Sequence, residues 1–313
     1  MKKELTPLKA DLMLVVVAFL WGSSYVVTKG SIEIVDPVQI IFFRFSIASA
    51  LSLIFFGRYL KTASKKEIKA GFMLGSMLCL GALFAFYGIR YTTVSKNSFI
   101  ISTNVVVVPF LHWAAYKRKP TGVSLAAVFL MAVGLGFLTL DLSGSFKINI
   151  GDVISFGSVF FYAAHVVLSD NYSKRYNPVS VNTFAMISVS FLSFAVLLLT
   201  NNLRINIPGK IMGDMLYLSV FPTFLCYTMQ LNAQKHTNAT HAAIIISLES
   251  VFATVLAVLI LEEKITLQMV AGFMFIFISV LTSELGETII VRFKERQAGA
   301  LIEIPGKQTE NKE

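Results

Sequence analysis

The chain has 313 residues, of which 55% are hydrophobic and 14% charged, and its mean hydropathy is +0.71. Soluble domains carry about 25% charged residues, so this sequence cannot cover a soluble surface; a soluble globule, a disordered chain and a nucleic-acid-binding domain are excluded. The net charge of +9 is read instead as a topology signal, because Lys and Arg collect in the cytoplasmic loops of membrane proteins.

A hydrocarbon core about 30 Å thick takes roughly 20 apolar residues per helix. Ten such segments follow one another: 11–30, 37–57, 68–89, 94–116, 121–140, 151–170, 178–200, 210–232, 239–261 and 265–286. Charge or turn residues mark the breaks, among them Asp36-Pro37, Arg58 to Lys69, Lys117-Arg118-Lys119-Pro120, Lys174 to Pro178 and Glu262-Glu263-Lys264. The first segment runs into Trp21-Gly22-Ser23-Ser24-Tyr25 without a small-residue cleavage site, so it is expected to stay as a helix. With the N-terminus inside, 17 Lys and Arg fall on the inner side and seven on the outer. The expected fold is all-α and integral to the membrane, with ten transmembrane helices, both termini cytoplasmic, and a cytoplasmic tail over 287–313. Cys79 and Cys226 lie in apolar segments and are expected as buried thiols without a disulfide framework.

Polar residues inside these segments are the candidates for function. In the first, Trp21 and Tyr25 are four apart and share a face, with Ser24 beside them; Trp21 is too deep for an interface anchor, so a cavity wall is the reading. In the second, Arg44 lies about 10 Å from the helix start at 1.5 Å per residue. It could grip a substrate carboxylate with its planar fork, snorkel outward, or tie helix ends together. Gly71-x-x-x-Gly75 in the third suggests close helix packing. Asn104, with Asn97 and Ser102, marks the fourth. His165 marks the sixth and Gln230 the eighth; each is read either as lining the path or as a packing residue with its hydrogen bonds satisfied. Glu249 sits near the centre of the ninth, where a carboxylate is costly unless it faces a cavity or a partner. It is read as an amine contact, a proton carrier, or a carboxylate that packs two helices.

The chain also repeats itself. At an offset of 145, Thr92 meets Thr237, Ile100-Ile101-Ser102 meets Ile245-Ile246-Ser247, and Asn104 meets Glu249. At 141, Pro37-Val38 meets Pro178-Val179, and at 140, Val26-Val27 meets Val166-Val167, which pairs Tyr25 with His165. Five helices per half is an odd number, so the second half is expected upside down. Inverted repeats characterise secondary transporters, whose site lies between the halves near the midplane.

Several of these features together resemble the ten-helix, two-EamA-domain members of the drug/metabolite transporter superfamily. They are Trp21-Gly22-Ser23-Ser24-Tyr25 with Lys29, Asp36-Pro37 followed by Arg44, Leu248-Glu249, and Leu261-Glu262-Glu263-Lys264-Ile265-Thr266. The sequence departs from that pattern at Ser250, where a proline often follows the glutamate. The resemblance implies two EamA-like five-helix repeats, 11–140 and 151–286, and small-metabolite transport across the plasma membrane, often export of amino acids or related compounds. The bound solute would contact Trp21, Ser24, Tyr25, Arg44, Asn104, His165, Gln230 and Glu249, with Glu249 as the coupling group if protons drive the cycle. The sequence has no G-x-x-x-x-G-K-[ST], H-E-x-x-H or G-x-S-x-G element. The expectation is therefore no enzyme, no catalytic residues, no metal and no cofactor. The expected partners are a small-molecule solute and membrane lipid, not nucleic acid, and a homodimer is left open. The competing readings are an integral-membrane enzyme or a receptor without transport.

Overall fold

The computed structural model describes residues 7–117, 122–139, 149–203, 208–236 and 239–282. Within them the chain is helical, with no strand. The helices are α1 (Pro7–Ile32), α2 (Pro37–Leu60), α3 (Lys65–Tyr91), α4 (Val94–Ser102), α5 (Asn104–Tyr116), α6 (Gly122–Thr139), α7 (Ile150–Arg175), α8 (Pro178–Leu199), α9 (Met212–Ser219), α10 (Cys226–Gln234), α11 (Ala239–Leu261) and α12 (Leu267–Thr282). Each of the ten predicted apolar segments is mainly helical over its described residues. Seven helical stretches are long and apolar enough to cross a bilayer, and 125–137, 245–261 and 267–282 are shorter apolar helices. Arg118-Lys119-Pro120 and the 287–313 segment lie outside the described residues.

Local chemistry fixes the helix starts. Asp36 accepts the Val38 N–H at 3.0 Å, and Asn177 accepts the Val179 N–H at 3.0 Å. In both, a proline opens the helix, where its missing N–H costs nothing. Ser64 and Glu67 form a reciprocal capping box on α3. The predicted fourth segment differs: it breaks at Thr103, whose hydroxyl turns back to the Ile100 carbonyl at 2.6 Å, so α4 and α5 replace one helix. The predicted eighth segment differs too, because a π-helical turn, Val220–Leu225, separates α9 from α10.

Outward-facing side chains are apolar over most of the bundle. Leu12, Phe19, Ile54, Phe55, Phe129, Leu259 and Leu267 are all exposed, an apolar surface far beyond what a water-soluble monomer carries. With its several apolar helices, the chain is a multi-pass membrane protein. Inside, α3 packs along α7 and α8, α1 along α11, and α2 along α8. Gly75 permits the α3–α8 approach, since a Cβ there would collide with the Ala185 carbonyl oxygen. This is the close packing that the glycine spacing anticipated.

At the end of the bundle where α1 turns into α2, charged side chains close the helix termini. Lys29 Nζ donates to the Ile89 and Thr92 carbonyls at 2.7 and 2.9 Å, closing the end of α3. Asp152 pairs with Lys96 at 3.8 Å and accepts the Thr92 hydroxyl at 2.5 Å. Glu263 accepts from the Val94 and Ser95 N–H groups at the start of α4. These are the helix-terminus partners that the backbone requires: cations on carbonyls and anions on amides.

Candidate functional site

A cavity of about 90 Å³ lies between α1, α2, α3, α4, α5, α7, α10 and α11. One water needs roughly 10–15 Å³, so there is room for a small solute. All eight residues singled out from the sequence line it: Trp21, Ser24, Tyr25, Arg44, Asn104, His165, Gln230 and Glu249. They come from six helices of both halves, and only the three-dimensional packing brings them together.

The wall is aromatic. Tyr227 is its centre, with ring centroids 5.1 Å from Trp21, 6.1 Å from Phe45 and 5.8 Å from His165. His165 is 4% exposed and meets Tyr227 edge-on, so it is both a packing and a lining residue. Ser24 turns its hydroxyl to the Trp21 carbonyl at 2.7 Å, a local bond that leaves the oxygen lone pairs available. Trp21 donates its indole N–H to the Pro222 carbonyl at 2.7 Å.

Two charged side chains share this space. Glu249 is 6% exposed and Arg44 5%. Neither takes part in an ion pair among the described residues. Glu249 accepts a long hydrogen bond, 3.3 Å, from the Tyr25 hydroxyl. Arg44 donates to the Thr223 hydroxyl and the Pro222 carbonyl, and its guanidinium lies 5.8 Å from the Phe45 ring and 5.7 Å from the Phe86 ring. It does not snorkel outward; it ties α2 to the π-helical turn and faces the cavity. Gln230 is 1% exposed, and its side-chain oxygen has no hydrogen-bond partner among the described residues. Buried polar atoms are normally satisfied, so a free acceptor on Gln230 beside a carboxyl group and a guanidinium without ion-pair partners among the described residues sets this cavity apart from the packed interior.

The sequence pattern of the EamA-like transporter family matches residues 8–140 and again 149–284. The chain belongs to this family. A relative from Archaeoglobus fulgidus, named an uncharacterized transporter, is 33% identical over 261 residues, 83% of this chain and 80% of that one. A Bacillus subtilis relative, the uncharacterized transporter YyaM, is 22% identical over 93% of this chain and 98% of its own. A solved crystal structure superposes with a TM-score of 0.66 at 14% identity, covering 88% of this chain and 96% of that one, and it shows the shared fold. Family and relatives alike point to a transporter rather than an enzyme.

Asn97, noted beside Asn104 in the fourth segment, lines the cavity as well, whereas sequence reading missed other lining residues of this EamA-like chain: Thr28, Phe45, Phe86, Tyr162 and Tyr227. Two had a usable signal. Tyr162 is three before His165, and Tyr227 three before Gln230, a spacing that puts each pair on one helix face.

Proposed function

We propose that this chain is a secondary transporter that exports a small amphipathic metabolite, such as an amino acid or a related solute, across the plasma membrane, which in a bacterium is the cytoplasmic membrane. It crosses ten times with both termini and the 287–313 tail in the cytoplasm, and residues 11–140 and 151–286 act as inverted halves. They rock about the cavity in alternating access, with Glu249 carrying the proton if the cycle is proton-coupled.

The observation that carries this reading is the convergence of Trp21, Tyr25, Arg44, His165, Gln230 and Glu249 on one cavity, with Arg44 and Glu249 unpaired. An aromatic wall with a guanidinium and a carboxyl group suits a solute that has an apolar body and polar ends. Support for the halves comes from the packing, which keeps its form when they are exchanged: α3 lies on α7 as α10 lies on α1, α1 on α11 as α7 on α4 and α5, and α3 on α8 as α9 on α2. The matched Asp36 and Asn177 caps add to it.

The test is flux in proteoliposomes loaded with a panel of amino acids and aromatic amines. At least one solute should move with the wild type, and Glu249→Gln and Trp21→Ala should each cut that flux at least tenfold. Variants that carry every accepted solute at the wild-type rate would refute the cavity as the transport site.

A further inference from the structure

The π-helical turn between α9 and α10 frees backbone and side-chain acceptors that Arg44 uses. Pro222 has no N–H, so the Leu218 carbonyl, four residues earlier, loses its usual helical donor. Thr223 supplies a replacement, its hydroxyl donating to Leu218 O at 2.6 Å. The Cys226 N–H, which in an α-helix would bond Pro222 O, goes instead to the Phe221 and Thr223 carbonyls. That register shift leaves Pro222 O facing sideways, where it accepts from Trp21 Nε1 at 2.7 Å and Arg44 Nη2 at 3.3 Å. The Thr223 hydroxyl, having spent its proton on Leu218, can only accept from Arg44, and it does so from Nε. Thr223 is fully buried.

Two of the five guanidinium N–H groups are thus fixed by the turn, and Arg44 lines the cavity with no carboxylate partner among the described residues. The Phe45 and Phe86 rings also lie within 6 Å of the guanidinium, at 5.8 and 5.7 Å. Held by these two bonds and packed against two rings, the guanidinium has three N–H groups left for the cavity that it lines.

We propose that the Val220–Leu225 turn is a cradle that makes Arg44 a seat for a carboxylate, with Thr223 and the Pro222 carbonyl as positioning groups that act through Arg44. The ligand class is a compound with a carboxylate beside an aromatic or apolar body. This rests on the reading of the cavity as the solute site. The same turn holds Trp21, so the carboxylate seat and the aromatic wall move as one unit.

Three probes of matched shape separate the parts: 3-phenylpropionate carries the carboxylate alone, phenethylamine the amine alone, and phenylalanine both. Binding to the purified full-length protein is read from the fluorescence of Trp21, with Trp113→Phe as the background. Thr223→Val keeps shape but removes the acceptor; Thr223→Ser keeps it. The expected result is a loss of at least tenfold in affinity for 3-phenylpropionate and phenylalanine in Thr223→Val, recovery in Thr223→Ser, and phenethylamine unchanged. Carboxylate binding that survives Thr223→Val, or an equal loss for phenethylamine, overturns the cradle but leaves the cavity as a solute site. Failure of all three probes to bind the wild type overturns the cavity reading and the carboxylate seat with it.

Discussion

Gly22 of α1 sits so close to Glu249 of α11 that a Cβ on it would lie 2.8 Å from the Glu249 carbonyl oxygen and 2.7 Å from Phe252 Cβ. This contact sets the distance between two helices that each carry a cavity residue, with Tyr25 three positions after Gly22 on α1 and Glu249 itself on α11. Gly22→Ala adds a single methyl, and backbone cannot yield to it as a side-chain tip would. The expected cost is about 1–3 kcal/mol, seen as a lower thermal midpoint in detergent. The 3.3 Å Tyr25–Glu249 bond should part as well, so solute affinity falls together with stability. An unchanged midpoint would show that α1 and α11 tolerate separation.

Gln230 gives a prediction of the opposite sign for stability. Its oxygen is buried without a partner among the described residues, and an unmade buried hydrogen bond costs about 1–3 kcal/mol. Gln230→Leu removes that oxygen at nearly constant volume. The empty protein should become more stable, by about 1 kcal/mol, while solute affinity drops about tenfold. Thermal unfolding with and without a transported solute checks both effects; a residue that only packed helices would lose stability instead.

Gln230 also marks how far the sequence alone reaches. Like Glu249 and Arg44, it stands out in an apolar helix because a polar group there must have a reason, and the repeat ties Glu249 to Asn104 by alignment alone. The starts at Asp36-Pro37 and Asn177-Pro178 are legible because capping chemistry is local. Tyr162 and Tyr227 carry only the weak signal of their spacing from His165 and Gln230, since an aromatic residue is ordinary in a membrane helix and only tertiary convergence makes it a wall. The break at Thr103 lacks the Gly or Pro that would announce it. Pro222 is visible as a helix disturbance, yet where its freed carbonyl points depends on α1 and α2, which pass from elsewhere in the chain.

Glu263 joins the α11–α12 turn to the start of α4 through three bonds, from Val94 N at 2.6 Å, Ser95 N at 3.2 Å and Ser95 Oγ at 2.6 Å. A carboxylate on free helix N–H groups is a charge-assisted cap, roughly twice as strong as a neutral one. Glu263→Ala should cost about 1–2 kcal/mol, and Glu263→Gln, which keeps one acceptor, about half of that. Thermal midpoints in detergent measure the series. Equal loss in both variants would mean that the charge, rather than the oxygen count, holds α4.

Topology can be read with thiol chemistry on the native background, because Cys79 and Cys226 are 1% and 0% exposed and should not react in the folded protein. Thr62, in the turn between α2 and α3, and Leu203, after α8, are both exposed. The excess of Lys and Arg over 58–69 predicts that the first turn faces the cytoplasm. Five predicted helices separate the two turns, and an odd number of crossings puts the second outside. In intact cells a membrane-impermeant maleimide should therefore label Leu203→Cys and spare Thr62→Cys, and after lysis it should label both. The reverse pattern would invert the orientation. Labelling of both in intact cells would place the two turns on one side, which needs an even number of crossings between them and so breaks the count on which the inverted halves depend.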